Sequence, residues 1–339
     1  MNILMYSPHF YPSVGGTEMV MRILAEEFVR QGHQVVVLSQ TPAGDAPPLT
    51  VPVVRHPNLK TLVGWLRWCD LFFQGSVSLK GVIPLLLVPK PLAVTHQTWY
   101  RRLDGRIGWQ DRLKYWVARR AINVAPSRAI AAKLAAPVAI IPNPYRDDLF
   151  VEMPHIPRNR DLIYVGRLVS DKGVDLLVSA LARLRYQGIM PTLTIVGSGP
   201  EEVPLRQQAF DLQVLDQIQF VGVQQEQALV QLLNAHKILV IPSRWQEPFG
   251  IVAPEGIACG CVAVGSAGGG LKDAIGACGV TFPNEDVTEL TNQLAMLLTQ
   301  PDRLASYRSA APEHLARHTR AAVATAYLQT FEAAMGSRA

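Results

Sequence analysis

Short apolar runs and helical periodicities take turns along this chain, and the alternation stops once and then restarts. Residues 2–6 read as a buried strand, followed by a loop of Pro, Gly and aromatic residues at 7–16. A helix over about 17–31 carries Val20, Ile23, Leu24 and Phe28 at helical spacing, with Thr17 as N-cap and Gly32 as C-cap. Residues 34–38 form the next strand. Strand, helix and strand joined by short links call for a parallel sheet. Later strands are expected at 71–73, 92–95 and 122–125. Pro142, Pro144, Pro154 and Pro157 then punctuate residues 142–160, which read as a linker. Beyond it the alternation resumes. Strands are expected at 162–165, 192–196, 218–220 and 238–241, and helices at 174–187, near 202–212 and at 226–235. Further units run to about Pro283, and helices at 287–298 and 312–334 close the chain. The fold class is therefore α/β: two successive Rossmann-like halves with a cleft between them.

The 339 residues suit two domains at roughly 100–200 residues each. With 49% hydrophobic and 17% charged residues, both can bury large cores. No apolar run reaches the roughly 20 residues of a membrane-spanning helix. The longest candidate, 82–94, is broken by Pro84, Pro89, Lys90 and Pro91. The N-terminus lacks a basic head and a small-residue cleavage site, so a cytoplasmic protein is expected. Cys69, Cys259, Cys261 and Cys278 have neither zinc nor CxxC spacing, and buried, reduced thiols are expected.

Two segments carry the chemistry. In Glu247-Pro248-Phe249-Gly250-Ile251-Val252-Ala253-Pro254-Glu255, two carboxylates flank a tight turn that starts a helix. The segment follows a strand ending at Ile241, and ligands of open α/β sheets bind at such carboxyl ends. Gly250 lets backbone N–H groups come close to a ligand, and the helix N-terminus favours an anion. Glu255 and Glu247 can each accept hydrogen bonds from a hydroxylated group. The alternative is two solvated acids near a helix start. In Gly166-Arg167-Leu168-Val169-Ser170-Asp171-Lys172-Gly173, Arg167 and Lys172 flank a turn between a strand and a helix. Both cations can converge on one anion, such as a diphosphate leaving group. The alternative is an exposed charged turn. No acidic cluster suggests a metal.

In this order the two segments resemble those of family-four retaining glycosyltransferases of the GT-B fold, the glycosyl transferases group 1. Leu193-Thr194-Ile195-Val196-Gly197-Ser198-Gly199-Pro200, Phe220-Val221-Gly222-Val223, Ile141-Pro142-Asn143-Pro144 and Gly15-Gly16-Thr17-Glu18 resemble further parts of that family. The resemblance spans both halves. It implies an acceptor-binding domain at 1–150, a nucleotide-sugar-binding domain at 151–318, and a terminal helix at 319–339 packing back on the first domain. It implies transfer of a hexosyl group, with retention and without metal or other cofactor, from a UDP-sugar by preference. The acceptor would be a glycan or a lipid-linked group in polysaccharide or glycolipid synthesis. Arg167 and Lys172 would neutralise the diphosphate. Glu255 would hold the ribose, and Glu247 the transferred sugar beside the backbone of Phe249, Gly250 and Ile251. Gly15, Gly16, Gly166, Gly197 and Val252 would line the donor, and the Val223 backbone would meet the base. Gly256 and Pro144 depart from the commonest pattern, where Ala and Gly stand.

His96, at a strand end, would by the same resemblance face the donor sugar and act with Glu247, Arg167 and Lys172; a packing role is the alternative. His9 would meet the acceptor, and His33 would lie at the surface. The run Gly268-Gly269-Gly270 either opens a helix beneath the sugar or forms a plain turn. Between Tyr100 and Lys133 stand nine basic residues (Arg101, Arg102, Arg106, Arg112, Lys114, Arg119, Arg120, Arg128 and Lys133) and two acids, Asp104 and Asp111. Trp109, Leu113, Trp116, Val117 and Ala121 recur there at helical spacing. Three readings stand: a helix docking on anionic lipid, recognition of an acidic acceptor, or a core-facing helix with a solvated basic face. No nucleic-acid module accompanies the charge. Rival functions are an epimerase or phosphorylase of the same architecture and a non-catalytic sugar-nucleotide binder. A nucleotide-cofactor oxidoreductase lacks support, because the first loop is not GxGxxG and no acid ends the second strand.

Overall fold

Leu4, Met5 and Tyr6 are buried because their strand has a parallel neighbour on each side. The computed structural model describes residues 1–13, 15–100 and 107–336. Its chain divides into two compact units, Met1–Pro144 with Thr319–Ala339, and Tyr145–His318.

The first unit runs β1 (Asn2–Tyr6), α1 (Gly16–Arg30), β2 (Gln34–Ser39), β3 (Val53–Arg55), α2 (Leu59–Trp68), β4 (Leu71–Gly75), α3 (Leu79–Val82), β5 (Leu92–Thr95), α4 (Trp109–Ala118), β6 (Ile122–Ala125), α5 (Arg128–Ala131) and β7 (Val138–Ile140). Its seven strands are parallel in the order β3-β2-β1-β4-β5-β6-β7. The winding reverses between β1 and β4. Helix α1 starts one residue before the expected cap: Gly15 is the N-cap and Thr17 lies inside the first turn. Gly32, at φ +87, takes the left-handed position just past Gln31.

The second unit runs β8 (Arg160–Val165), α6 (Val174–Tyr186), β9 (Leu193–Val196), α7 (Glu202–Asp211), β10 (Ile218–Phe220), α8 (Glu226–Ala235), β11 (His236–Ile241), α9 (Val252–Ala258), β12 (Val262–Ser266), α10 (Leu271–Ile275), β13 (Gly279–Phe282), α11 (Val287–Thr299), α12 (Pro301–Ser309) and α13 (Ala311–Ala316). Six parallel strands stand in the order β10-β9-β8-β11-β12-β13, and here the winding reverses between β8 and β11. Tyr145 and Phe150 pack into the core of this unit, so the proline-rich stretch is partly structural.

The single helix expected at 312–334 is two. Helix α13 ends at Ala316, and α14 (Arg320–Gly336) begins after Thr319, whose hydroxyl accepts from the Ala322 N–H at 3.3 Å. Neither Pro nor Gly marks the break; a capping threonine does. Helix α14 packs on α1 of the first unit. There Tyr327 and Phe331 join Phe28 and Phe73 in a buried aromatic cluster, with centroid distances of 5.3 to 6.2 Å. All four cysteines are buried free thiols. No helix among the described residues is long and apolar enough to cross a membrane.

Candidate functional site

In a doubly wound sheet, the loops leaving two adjacent strands diverge where the winding reverses, and they leave a crevice at the strands' carboxyl ends. In the second unit those strands are β8 and β11. Strand β8 ends at Val165 and runs into Gly166-Arg167; β11 ends at Ile241 and runs into Pro242-Ser243. The two segments singled out in the sequence are therefore the two loops at this reversal.

Three side-chain contacts order these loops, two of them between the loops and one within the second. The Lys172 ammonium donates to Oε1 of Glu247. Ser243 Oγ donates to the same oxygen at 2.9 Å. Glu247 Oε2 accepts no hydrogen bond among the described residues. Gly173, at φ +65, completes the approach: a Cβ there would lie 2.2 Å from the Pro242 carbonyl oxygen. The third contact was not foreseen from the sequence. The Arg244 guanidinium forks onto Asp175, both bonds 2.6 Å, donates to Ser170 O at 3.0 Å and reaches Glu285 at 3.1 Å. Asp175 in the first turn of α6 and an Arg three residues past a strand end were the only signals, and neither names the other as partner. These charge-assisted bonds hold the Arg167–Lys172 turn against the 242–247 loop.

Arg167 itself is exposed. Its carbonyl accepts from the Tyr164 hydroxyl at 2.8 Å, which fixes the backbone, while its guanidinium has no hydrogen bond or ion pair among the described residues. A fixed stem with an uncommitted cationic head suits capture of an anion.

The glycines of the neighbouring strand ends lie almost in contact. Gly197 stands at φ +138, and a Cβ there would meet the Gly166 carbonyl oxygen at 1.8 Å. Gly166 N–H donates to Val196 O and Gly197 N–H to Gly222 O. Three strand ends are laced into one floor, from which Val223 projects, 59% exposed.

Glu247 is also held from below. Its carbonyl accepts from the Gly270 N–H at 2.6 Å, and Glu247 and Gly269 form a parallel bridge. The glycine run thus opens α10 directly under the Glu247 loop. Phe249 is buried, so only its backbone is available to a ligand; Gly250, Ile251 and Val252 lead into α9. Glu255, in the first turn of α9, lies deep enough that burial pushes its carboxyl up to about 8, against the opposing pull of the Arg146 guanidinium. Its carboxyl accepts no hydrogen bond among the described residues. A diol is the natural complement.

In the first unit, Gly15 caps α1 and Gly16 opens it. The ring of His96 lies inside the first unit. It is fully buried, Nδ1 bonds the Tyr100 hydroxyl at 2.8 Å and Nε2 bonds Asn123 Oδ1 at 3.0 Å. Burial lowers its pKa to about 4. Both ring nitrogens are thus engaged within the first unit. His9 is exposed and helps line a cavity of about 490 Å³ beside the β1–β4 reversal, with Ser7, Glu18, Ser76, Lys80 and Lys114. His33 bonds the N-terminal amine at 3.2 Å. Arg101, Arg102, Asp104 and Arg106 lie outside the described residues.

The profile of the glycosyl transferases group 1 family matches residues 146–314. The chain belongs to the group 1 glycosyl transferases through its second unit. Glycogen synthase of Mycobacterium tuberculosis is 40% identical over 143 residues, which are 42% of this chain and 34% of that protein. The D-inositol 3-phosphate glycosyltransferase of Jonesia denitrificans is 32% identical over 186 residues, 52% of this chain and 43% of that one. The chain thus spans less than half the length of these curated relatives in its matches. Among solved structures, Anabaena HepE in complex with UDP has a TM-score of 0.84 at 20% identity, over 98% of this chain and 100% of that one. Two parallel α/β sheets of this kind are the GT-B fold.

Proposed function

We propose that this chain moves a hexosyl group from a nucleotide-diphosphate sugar, a UDP-sugar by preference, to a glycan or lipid-linked acceptor in polysaccharide or glycolipid synthesis, with retention and without a metal. The observation that carries the reading is the pairing at the β8–β11 reversal. An uncommitted guanidinium, Arg167, and an ammonium, Lys172, stand on one turn, and Lys172 also holds the carboxylate Glu247. Negative charge develops on the leaving diphosphate where cations are already in place. Arg167 and Lys172 take that charge, with the amides at the start of α9. Glu255 receives the ribose diol, and Glu247 Oε2 a hydroxyl of the transferred sugar. The backbone of Gly197 and Val223 lies beside the base.

In the reaction, the bond between the anomeric carbon and the diphosphate oxygen breaks. A bond from that carbon to the acceptor oxygen forms on the same face, and the departing phosphate oxygen takes the acceptor proton. The first unit binds the acceptor. HepE carries UDP and UDP-glucose in its solved complexes, which supports the choice of base. The four unpaired thiols fit a reducing, cytoplasmic location, and the charge of the basic stretch 101–133 fits an anionic membrane surface as a partner.

The test is transfer by Arg167→Ala. Loss of one charge-assisted clamp of this kind lowers kcat/KM by roughly 100-fold or more. Wild-type transfer in that variant would remove Arg167 from the diphosphate site.

A further inference from the structure

Glu247 rests on two supports, and both are held in turn by one residue that no sequence motif marks. Ser243 Oγ donates to Glu247 Oε1 at 2.9 Å, and the Gly270 N–H donates to the Glu247 carbonyl at 2.6 Å. Asn284 lies just past β13, an edge strand of the second unit's sheet. Its Nδ2 donates to the carbonyls of Ser243 and Arg244, both at 3.2 Å. Its Oδ1 accepts from the Gly268 N–H at 2.6 Å. One short side chain thus joins the loops that leave β11, β12 and β13.

The partners dictate how the amide is turned. A backbone N–H can only donate and a carbonyl can only accept, so the three bonds fix which end of the amide faces which loop. Aspartate, of the same size, would keep the acceptor, lose both donors and set a charge against two carbonyl oxygens.

The seat is rigid on both sides. The Asp286 N–H donates to Pro283 O at 3.1 Å, and Asp286 caps α11 by accepting from the Glu289 N–H at 2.9 Å. Those bonds tie the turn that carries Asn284 to a helix of 13 residues. On the facing side, a Cβ on Gly268 would lie 2.6 Å from Asn284 Oδ1 and 2.7 Å from Nδ2. The first glycine of the run is therefore what admits the amide. Glu285, the next residue, stands at φ +65, where L side chains are uncommon, and its carboxylate meets Arg244 Nε at 3.1 Å. The turn grips residues 243 and 244 twice, once by backbone and once by side chain.

The cationic side of the site is held differently. Arg167 and Lys172 stand on the loop after β8, which Arg244 holds through Ser170 and Asp175. Among the described residues, Asn284 makes no hydrogen bond to that loop or to α9, which carries Glu255.

We propose that Asn284 is a positioning residue for Glu247. It fixes the loops after β11 and β12 around that carboxylate, and so acts on the transferred sugar rather than on the diphosphate. This rests on the sugar role given to Glu247 above. Without Asn284 the carboxylate would stay paired with Lys172 but lose its aim, and reaction geometry tolerates little misplacement.

The experiment compares the full chain with Asn284→Ala and Asn284→Asp by three readouts. These are amide hydrogen exchange by NMR without ligand, UDP affinity, and turnover of whichever of UDP-glucose, UDP-galactose and UDP-N-acetylglucosamine the wild type consumes fastest. Asn284→Ala should speed exchange of the Gly268 and Gly270 amides. It should lower kcat at least ~10-fold while UDP affinity stays within about 2-fold of the wild type. Asn284→Asp keeps the acceptor for Gly268, so that amide should stay protected while kcat still falls. Retained UDP binding shows that both variants fold. A merely structural role would weaken UDP binding as much as turnover, and that result overturns the proposal. Wild-type exchange at Gly268 in Asn284→Ala overturns it too, as does wild-type turnover. Exchange is read without donor. A wild type that binds no UDP and consumes no UDP-sugar therefore removes the donor reading, while exchange still decides whether Asn284 holds the two loops.

Discussion

Glu255 and Glu247 are both carboxylates beside one helix, and their surroundings differ. Glu247 is tied to a lysine and a serine through one oxygen. Glu255 has its carboxyl raised from 4.5 to about 8 by burial. A ribose diol donates to the ionised form, so donor binding should lower that pKa and release a proton near neutral pH. Titration calorimetry of UDP in buffers of different ionisation enthalpy should show this release for the wild type and lose it in Glu255→Gln. A heat independent of buffer would separate Glu255 from the ribose. The same shift acts on stability. The folded state holds its proton more tightly than the unfolded chain, so this contribution is complete below pH 4.5 and is lost as pH rises through about 8. Glu255→Gln should therefore gain on the wild type in denaturant midpoint across that window while binding UDP more weakly; a constant difference between the two would contradict the burial account. His96, lowered to about 4, should contribute no limb to a pH–rate profile between 6 and 8.

At the scale of elements, the account depends on how closely the loops after β8, β9 and β11 approach one another. Gly173→Ala forces a Cβ onto the Pro242 carbonyl at a positive φ. It should cost roughly 1–3 kcal/mol in urea unfolding, and it should weaken UDP binding by separating Lys172 from Glu247. A stable variant with normal affinity would show that the two loops act independently. Here the sequence was informative, because periodicity and glycine punctuation are local. Strand starts and ends at 92–95, 122–125 and 218–220 coincide with β5, β6 and β10. It was uninformative where a long-range contact decides. The Arg244–Asp175 fork joins residues 69 apart, and the commitment of both His96 nitrogens depends on Tyr100 and Asn123. Helix α4 leaves Trp109, Leu113 and Trp116 exposed, and an outward stripe has the same periodicity as an inward one, so spacing alone left three readings open.

At the scale of the whole molecule, the chain leaves its first unit at Pro144 and returns to it at Thr319. The returning helix carries Tyr327 and Phe331, both fully buried among residues of α1 and β4. Phe331→Ala should destabilise the first unit by about 3–5 kcal/mol in thermal or denaturant unfolding, a penalty normally paid within a contiguous core. Little change in that transition would mean the terminal helix is dispensable to the unit. The break between α13 and α14 is what permits the return, and a threonine cap was its sole local mark.

The central claim is that a nucleoside diphosphate binds at the β8–β11 reversal, and a crystal structure of the chain with UDP tests it most directly. The account predicts diphosphate oxygens about 3 Å from the Arg167 guanidinium and the Lys172 ammonium, with the ribose hydroxyls on Glu255. UDP ordered at another place, with those three side chains untouched, would contradict it.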